Sequence, residues 1–134
     1  MGLRTELGRV PGLAAVACVC AGAILQCACS DSSLPPVPDP ILDGFALTVR
    51  DQIRSATERA QAEPDNAAAV GALGRVLYAY GQNQAAAACF ERCQRLEPQA
   101  FEWSYLLAVA RSDSGQTEAA LAAFEAAAAM RPND

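Results

Sequence analysis

The sequence predicts an all-α protein, a solenoid of helical hairpins. Prolines recur at Pro64, Pro98 and Pro132, 34 residues apart each time. The residues between these prolines repeat as well, and each unit carries two apolar patterns with helical spacing. A fixed period in the mid-thirties with two helices per unit is typical of stacked hairpins. We therefore expect five helices after an N-terminal segment, which amounts to about two and a half repeats.

Residues 1–29 predict an export signal. Arg4 and Arg9 precede the run from Val10 to Leu25, whose 16 residues carry no charge. A basic start, an apolar run and small residues after it are typical of secretory signals, and the run is short for a membrane-spanning helix. We expect the rest of the chain to be exported, as a periplasmic or membrane-anchored component of a bacterial cell envelope.

Cys29 is the candidate for lipidation. It is followed by small polar residues, and this segment resembles the start of mature bacterial lipoproteins. Ala28 suits the place before that cysteine, but Gln26 stands where the lipoprotein motif favours an aliphatic residue, and Gln26 also precedes the alternative acceptor Cys27. Lipidation at either cysteine, cleavage elsewhere and an uncleaved signal anchor therefore stay open as interpretations.

Two further segments precede the full repeats. Residues 30–41 predict a proline-rich linker, because prolines among small polar residues favour extended polyproline geometry over a helix. Residues 42–64 predict an N-terminal half-repeat or capping helix from Leu42 to Glu63, with Asp43 near its start. Its apolar stripe has helical spacing and consists of Phe45, Val49, Ile53, Ala56 and Ala60.

Residues 65–98 and 99–134 are the two full repeats. Superposing them pairs Leu73 with Leu107, Gly81 with Gly115, Ala86 with Ala120, and Phe90 with Phe124. We expect helices at 66–80, 84–96, 100–113 and 117–131, with both paired glycines ending a first helix at positive φ. Alanines at the paired positions let two helices approach closely, so we expect both phenylalanines to be buried in the space beside them.

These paired residues resemble the tetratricopeptide repeat family, whose motif has Leu-Gly in a first helix, a turn glycine, and an Ala, a Phe and a closing Pro around the second helix. The first copy has Leu73-Gly74 and the second has Leu107-Ala108. Trp103 stands one place before the family's tryptophan position, and Arg111 replaces an apolar residue. We therefore expect the first helix of the second copy to be rotated or loosely packed.

The composition argues against catalysis, metal binding and nucleic-acid binding. All ten basic residues are arginine, so the usual general base, Schiff-base amine and metal-binding imidazole are absent. A net charge of −5 does not suit nucleic acid. Cys89 and Cys93 share one helix face, where small buried residues are the expected interpretation. We expect no enzyme activity, no cofactor and no metal site.

The family resemblance implies a ligand groove lined by the first helices of successive repeats. Projected on this chain, the groove contains eight residues: Gly71, Arg75, Tyr78, Ala79, Glu102, Tyr105, Val109 and Ser112. The candidate partner-binding residues among them are Arg75, Tyr78, Glu102 and Tyr105. A planar cation and two amphipathic rings suit a peptide or protein partner. The alternative, solvated or half-buried residues without a ligand, stays open. Gly71 and Arg75 replace the Asn and Lys with which family members clamp a peptide carboxylate, so we do not expect that activity.

Two functional hypotheses follow. The first is a non-enzymatic scaffold of the cell envelope that binds a peptide or protein partner on its concave face. The second is the N-terminal repeat section of a larger envelope enzyme or assembly factor whose working domain lies beyond Asp134. The last helix presents Leu121, Phe124 and Met130, which we expect to pack on a partner or on a second copy unless the sequence is a fragment.

Overall fold

A computed structural model describes residues 33–131 of the chain. These residues form five α-helices and no strand: α1 (Leu47–Ala62), α2 (Ala67–Ala79), α3 (Asn83–Leu96), α4 (Phe101–Asp113) and α5 (Thr117–Met130). Each helix packs on the next one along the chain. This arrangement is consistent with a solenoid of helical hairpins, α2 with α3 and α4 with α5, preceded by α1. The predicted export signal and Cys29 lie outside the described residues.

The turn glycines fix the hairpins. Gly81 and Gly115 have φ values of +75° and +79°, which other residues adopt only with strain, and each follows the first helix of a repeat as predicted. Beyond the first turn, the amide N–H of Gln82 donates to the carbonyl of Leu77, which satisfies one of the free carbonyls at the end of α2. The second turn repeats this bond between Gln116 and Arg111.

The first helix begins later than the sequence predicted. We expected it from Leu42, but α1 starts at Leu47. Gly44 has a φ of +82°, which is incompatible with a right-handed helix, so the chain turns there before the helix starts. Asp43 therefore lies in the turn and does not cap α1, whose N-cap is Ala46.

The core between α2 and α3 depends on small residues opposite large ones. Phe90, on α3, is almost fully buried, as are Leu73 and Leu107 from the two first helices. Gly74 provides the space for Phe90, because a β-carbon at Gly74 would stand 2.7 Å from the Phe90 ring. The predicted fit of a small residue against a phenylalanine is therefore confirmed for the first repeat.

The same prediction is wrong for Phe124. Its side chain is 37% exposed, whereas its repeat equivalent Phe90 is 1% exposed. The physical reason is the neighbourhood of each helix. The helix of Phe90 lies between α2 and α4, while α5 has one substantial helix partner, α4, within residues 33–131.

Arg111 does not loosen α4. Its guanidinium donates to Glu91 Oε2 on α3 at 3.0 Å, so an ion pair replaces the apolar contact that the repeat pattern favours there. Trp103 and Leu107 on the same helix are buried. The expected loose packing of α4 is therefore not found.

The described part of the proline-rich linker lies against the helices. Residues 33–41 are non-helical, as their prolines predict. Arg92, on α3, donates from Nη1 to the carbonyl of Pro35 at 2.7 Å, and the Gln82 side-chain amide exchanges two hydrogen bonds with the backbone of Ile41. Val37 and Leu42 pack against the core. This segment is therefore a docked strap and not a free spacer.

Within residues 33–131, no helix has both the length and the apolar composition that a membrane span requires.

Candidate partner-binding face

The first helices of the two repeats, α2 and α4, form a common face that we call the inter-repeat face. It consists of Arg75, Tyr78 and Ala79 from α2, and Glu102 and Ser112 from α4. On α2, Tyr78 and Ala79 follow Arg75 by three and four positions, so these three residues share one side of the helix. All five are exposed or half-buried, so they are accessible to a ligand.

Arg75 and Glu102 are brought together as an ion pair across the two repeats. The Arg75 guanidinium also lies over the Trp103 ring, 5.2 Å from its centroid. Both charged side chains keep about half of their surface in water, where an ion pair adds little to stability. A carboxylate or a cation from a ligand could therefore exchange with either partner at small cost.

Tyr78 is held by the second repeat. Its hydroxyl donates to Asp113 Oδ2 at 2.5 Å, which joins the end of α2 to the end of α4. The hydrogen bond to Asp113, with burial and the negative charge of that carboxylate, raises the pKa of Tyr78 above its usual value. The hydroxyl therefore stays protonated at neutral pH and acts as a hydrogen-bond donor.

Tyr105 belongs to a different cluster from the other three candidates. Its ring stacks on Phe101 with centroids 5.8 Å apart and meets Phe124 edge-on at 6.2 Å. The structure thus joins Arg75 with Glu102 and ties Tyr78 to α4, but it directs Tyr105 toward α5. Tyr105 also lies close enough to Tyr78 to add to the rise in the pKa of Tyr78. One patch containing both tyrosines therefore stays a prediction, and its Tyr105 side continues into the aromatic cluster of α4 and α5.

Gly71 was expected to line the groove, and this prediction is wrong because Gly71 is buried. A β-carbon there would stand 2.4 Å from the Trp103 ring. Trp103 is itself buried, and its Nε1 donates to Glu97 Oε2 at 2.7 Å. The tryptophan therefore fills the space beside Gly71 that was expected to be open to a ligand.

Sequence reasoning missed this role of Trp103. The available signal was a pair of differences between the repeats: glycine at Gly71 where the second repeat has Tyr105, and tryptophan at Trp103 where the first has Ala69. A missing side chain in one repeat beside an extra ring in the next indicates that the two sites touch.

Cys89 and Cys93 are free, fully buried thiols, as the sequence predicted. Burial raises the pKa of both thiols to about 12, with the neighbouring thiol adding to the effect at Cys89 and Glu97 adding to it at Cys93. Cys93 Sγ donates to the carbonyl of Ala67 at 3.3 Å. Both side chains therefore serve packing, since a thiolate is required for nucleophilic or metal-binding chemistry.

No group of three or more metal-ligating side chains is found in the part of the chain that the structure describes. The inter-repeat face offers a guanidinium, a carboxylate, hydroxyl groups and an aromatic ring on a helical support. Such groups recognise a polar or charged ligand by ion pairs, hydrogen bonds and ring contacts.

Comparison with known protein families agrees with the geometry. The family model described as tetratricopeptide repeat matches residues 67–100 and 104–134. No curated protein and no solved structure shows significant similarity to the chain. The two matches and the five helices support a tetratricopeptide repeat protein, and repeats of this family suggest a protein–protein interaction scaffold. They are typically non-catalytic interaction modules.

Proposed function

We propose, on the premise of two tetratricopeptide repeats, that this protein is a non-enzymatic scaffold of the bacterial cell envelope. It binds a peptide or protein partner on the inter-repeat face. The observation that carries this proposal is the pairing of Arg75 with Glu102 across the two repeats, beside Trp103. The pair presents both signs of charge in water, on side chains whose mutual attraction is weak enough for a ligand to replace.

The support beneath the face favours binding with little reorganisation. Trp103 is wedged against Gly71 and anchored to Glu97, so it holds α2 and α4 at a fixed separation. The bond from Tyr78 to Asp113 does the same at the other end of α4. A rigid face loses little conformational entropy when it binds a partner.

Photo-crosslinking tests the location of the partner. A photoreactive amino acid is placed at Ala79 or Ser112 on the inter-repeat face, and at Ser55 on α1 as the control, in the full chain expressed in its source cells. All three positions are exposed. We expect a discrete adduct from Ala79 and Ser112 and none from Ser55. The same adducts from all three positions would contradict a specific face.

A matched pair of double variants tests the chemistry. Arg75→Ala with Glu102→Ala removes the ion pair without changing the net charge, and Arg54→Ala with Asp51→Ala removes the exposed ion pair of α1 in the same way. The first double variant should reduce the Ala79 adduct at least about tenfold, the size expected for an interface hot spot. The second should leave the adduct unchanged. Equal adduct yields in both would overturn the proposal.

Export and membrane attachment belong to the same proposal. Support comes from the basic, apolar and small-residue succession of residues 1–29 and from Cys29. Intact-mass spectrometry of the protein from membrane and soluble fractions distinguishes the outcomes. A mature chain that starts at an acylated Cys29 supports a lipoprotein, and a full-length chain in the membrane fraction supports a signal anchor. A full-length chain confined to the soluble cytoplasm would contradict export.

A further inference from the structure

The second repeat carries an open groove between α4 and α5, which we call the end groove. It has a volume of about 330 Å³ and is lined by Phe101, Tyr105, Phe124, Ala127, Ala128 and Arg131. Leu121 stands nearby on α5 and is 60% exposed. Exposed rings and a leucine together on a small protein mark a surface for another molecule more often than isolated apolar residues do.

The repeat itself indicates what such a groove holds. Shifted back by 34 residues, the six lining positions become Ala67, Gly71, Phe90, Cys93, Gln94 and Glu97. Three of these six contact α4 directly. Trp103 lies over Gly71 and donates to Glu97, and the Gln94 side chain donates to Ser104 Oγ at 2.9 Å. The end groove is therefore the second copy of a surface that, in the first repeat, is covered by an α-helix.

Burial at the equivalent positions agrees with this correspondence. Phe90 is 1% exposed and Phe124 is 37% exposed, while Ala87 is 7% exposed and its equivalent Leu121 is 60% exposed. The second repeat thus places a larger apolar side chain than the first at a position that a helix would cover. This continuity with an established helix–helix interface commits the groove to one type of occupant.

We propose that the end groove binds an amphipathic α-helix of a partner protein, seated as α4 is seated on the first repeat. The inference goes beyond the proposed function, because it concerns a different surface. Among the described residues, the apolar sides of α2 and α4 are buried. The helix of a second copy that has exposed apolar side chains is α5, whose Phe124 lines the end groove itself, so a dimer joined through two α5 helices is the outcome that the test below separates from a partner helix.

The differences between the two surfaces define the chemistry of the partner helix. In the end groove, Tyr105 stands at the position equivalent to Gly71 and fills the space that a tryptophan ring would need. The partner therefore has no tryptophan at the position equivalent to Trp103. Arg131 stands at the position equivalent to Glu97, which accepts the N–H of the Trp103 indole in the first repeat. The partner therefore has an acidic residue at the position equivalent to Trp103. Ala128 replaces Gln94, which bonds Ser104, so an aliphatic residue follows the acidic one.

A third position of the partner helix follows from α4 in the same way. Leu107 is the next buried leucine of α4, four residues after Trp103. The predicted partner therefore carries an acidic residue in its first turn, with aliphatic residues one and four positions later. The guanidinium of Arg131, which lies over the Phe101 ring at 4.2 Å from its centroid, is the charge that selects the acidic residue.

The chain's own α4 provides the probe. The test peptide has the sequence of residues 101–113 with Trp103→Glu and Ser104→Val, and the control peptide has the unchanged sequence. Both carry a covalent staple on the face away from the groove, because a helix of this length is marginal in water. Fluorescence anisotropy with the full protein should show saturable binding of the test peptide, at least about tenfold tighter than the control.

Protein variants locate the binding. Phe124→Ala should weaken binding of the test peptide at least about tenfold. Arg131→Glu should also weaken binding of the test peptide. The same variant should bind a peptide with Trp103→Arg more tightly than the original protein binds that peptide. The charge reversal keeps the test decisive if Phe124→Ala perturbs the fold. Arg54→Glu on α1 is the matched charge control and should bind the test peptide normally.

Three results would overturn the inference. One is the lack of saturable binding of the test peptide. Another is equal affinity in the original protein and in both end-groove variants. The third is a protein that sedimentation shows to be a dimer and that becomes a monomer on Phe124→Ala, because the occupant would then be a second copy.

Discussion

The two repeats share one sequence pattern but have different surroundings. The first repeat is covered on both sides, by α1 on α2 and by α4 on α3. The second is covered by α3 on one side, and its other side carries the end groove. Of the two equivalent phenylalanines, Phe90 therefore lies in the core and Phe124 lies at the surface. In a solenoid, burial of a residue depends on the neighbouring repeat as much as on the residue's own hairpin.

The largest difference is expected from truncating the paired phenylalanines. Phe90→Ala should lower the free energy of unfolding by about 3 to 5 kcal/mol, because it leaves a cavity in a closed site. Phe124→Ala should cost about 1 to 2 kcal/mol, since part of the ring is already in water. Urea unfolding followed by circular dichroism measures both. Equal losses would show that the second repeat is covered as completely as the first.

The next effect concerns Arg92, whose equivalent in the second repeat is Ala126. The nearly buried guanidinium donates to the carbonyls of Pro64 and Pro35 and pairs with Asp65. Arg92→Ala should therefore cost about 1.5 to 3 kcal/mol, the range for hydrogen bonds to a charged group.

Release of the strap provides the second readout for Arg92. Limited proteolysis should cut residues 33–41 faster in Arg92→Ala than in the original chain. Arg95→Ala is the control, because Arg95 also bonds the strap, at Ser33, but is exposed. If both variants left the strap resistant, Arg92 would not be what holds it.

Gly71→Ala tests the contact between the repeats. The added methyl group would overlap the Trp103 ring, which is buried and tied to Glu97, so we expect a net loss of about 1 to 2 kcal/mol from overpacking. Trp103→Leu should abolish that penalty, and the double variant should then gain from the better helix propensity of alanine. If Gly71→Ala still lowered the free energy of unfolding in the Trp103→Leu background, the overlap would not be with the Trp103 ring.

The smallest effect is expected from the cysteines, whose equivalents are Ala123 and Ala127. Cys89→Ala should cost about 1 kcal/mol, the loss of one small buried group. In the folded protein both thiols should resist a thiol reagent at pH 8, because burial keeps their pKa near 12, and should react on unfolding. Fast labelling of the native protein would contradict their burial.

The thiols also predict a pH dependence. Their pKa is raised from 9.0 in the unfolded chain to about 12 in the folded one, so the folded state binds more protons between these values. The contribution of the two thiols to the free energy of unfolding should therefore be fully present below pH 9 and be lost as the pH rises toward 12. Cys89→Ala should make this fall shallower.

Periodicity predicted the parts of the structure that the repeat determines by itself. The 34-residue match placed α2 to α5 within about one residue of their observed ends and identified both turn glycines. It also predicted Arg75 and Glu102 on one face, where they form an ion pair. These features depend on residues within a hairpin or at one repeat's distance, which is the information that a single sequence carries most clearly.

The predictions that failed depend on neighbours that periodicity does not specify. Gly71 was expected to be accessible, but a tryptophan 32 positions later covers it. Phe124 was expected to be core, but the helix that would cover it is not among the described ones. The strap is held by bonds between Pro35 and Arg92, 57 residues apart, and a proline-rich composition alone does not indicate such contacts.

Native-state hydrogen exchange of the original protein tests most directly whether the second repeat is open on its outer side. The amides of α3 are predicted to exchange only on global unfolding, whereas those of α5 should exchange through local opening, at least about tenfold faster at equal intrinsic rates. Equal protection of α3 and α5 in a monomer would contradict the account, because it would mean that α5 is stabilised without a helix over its apolar side.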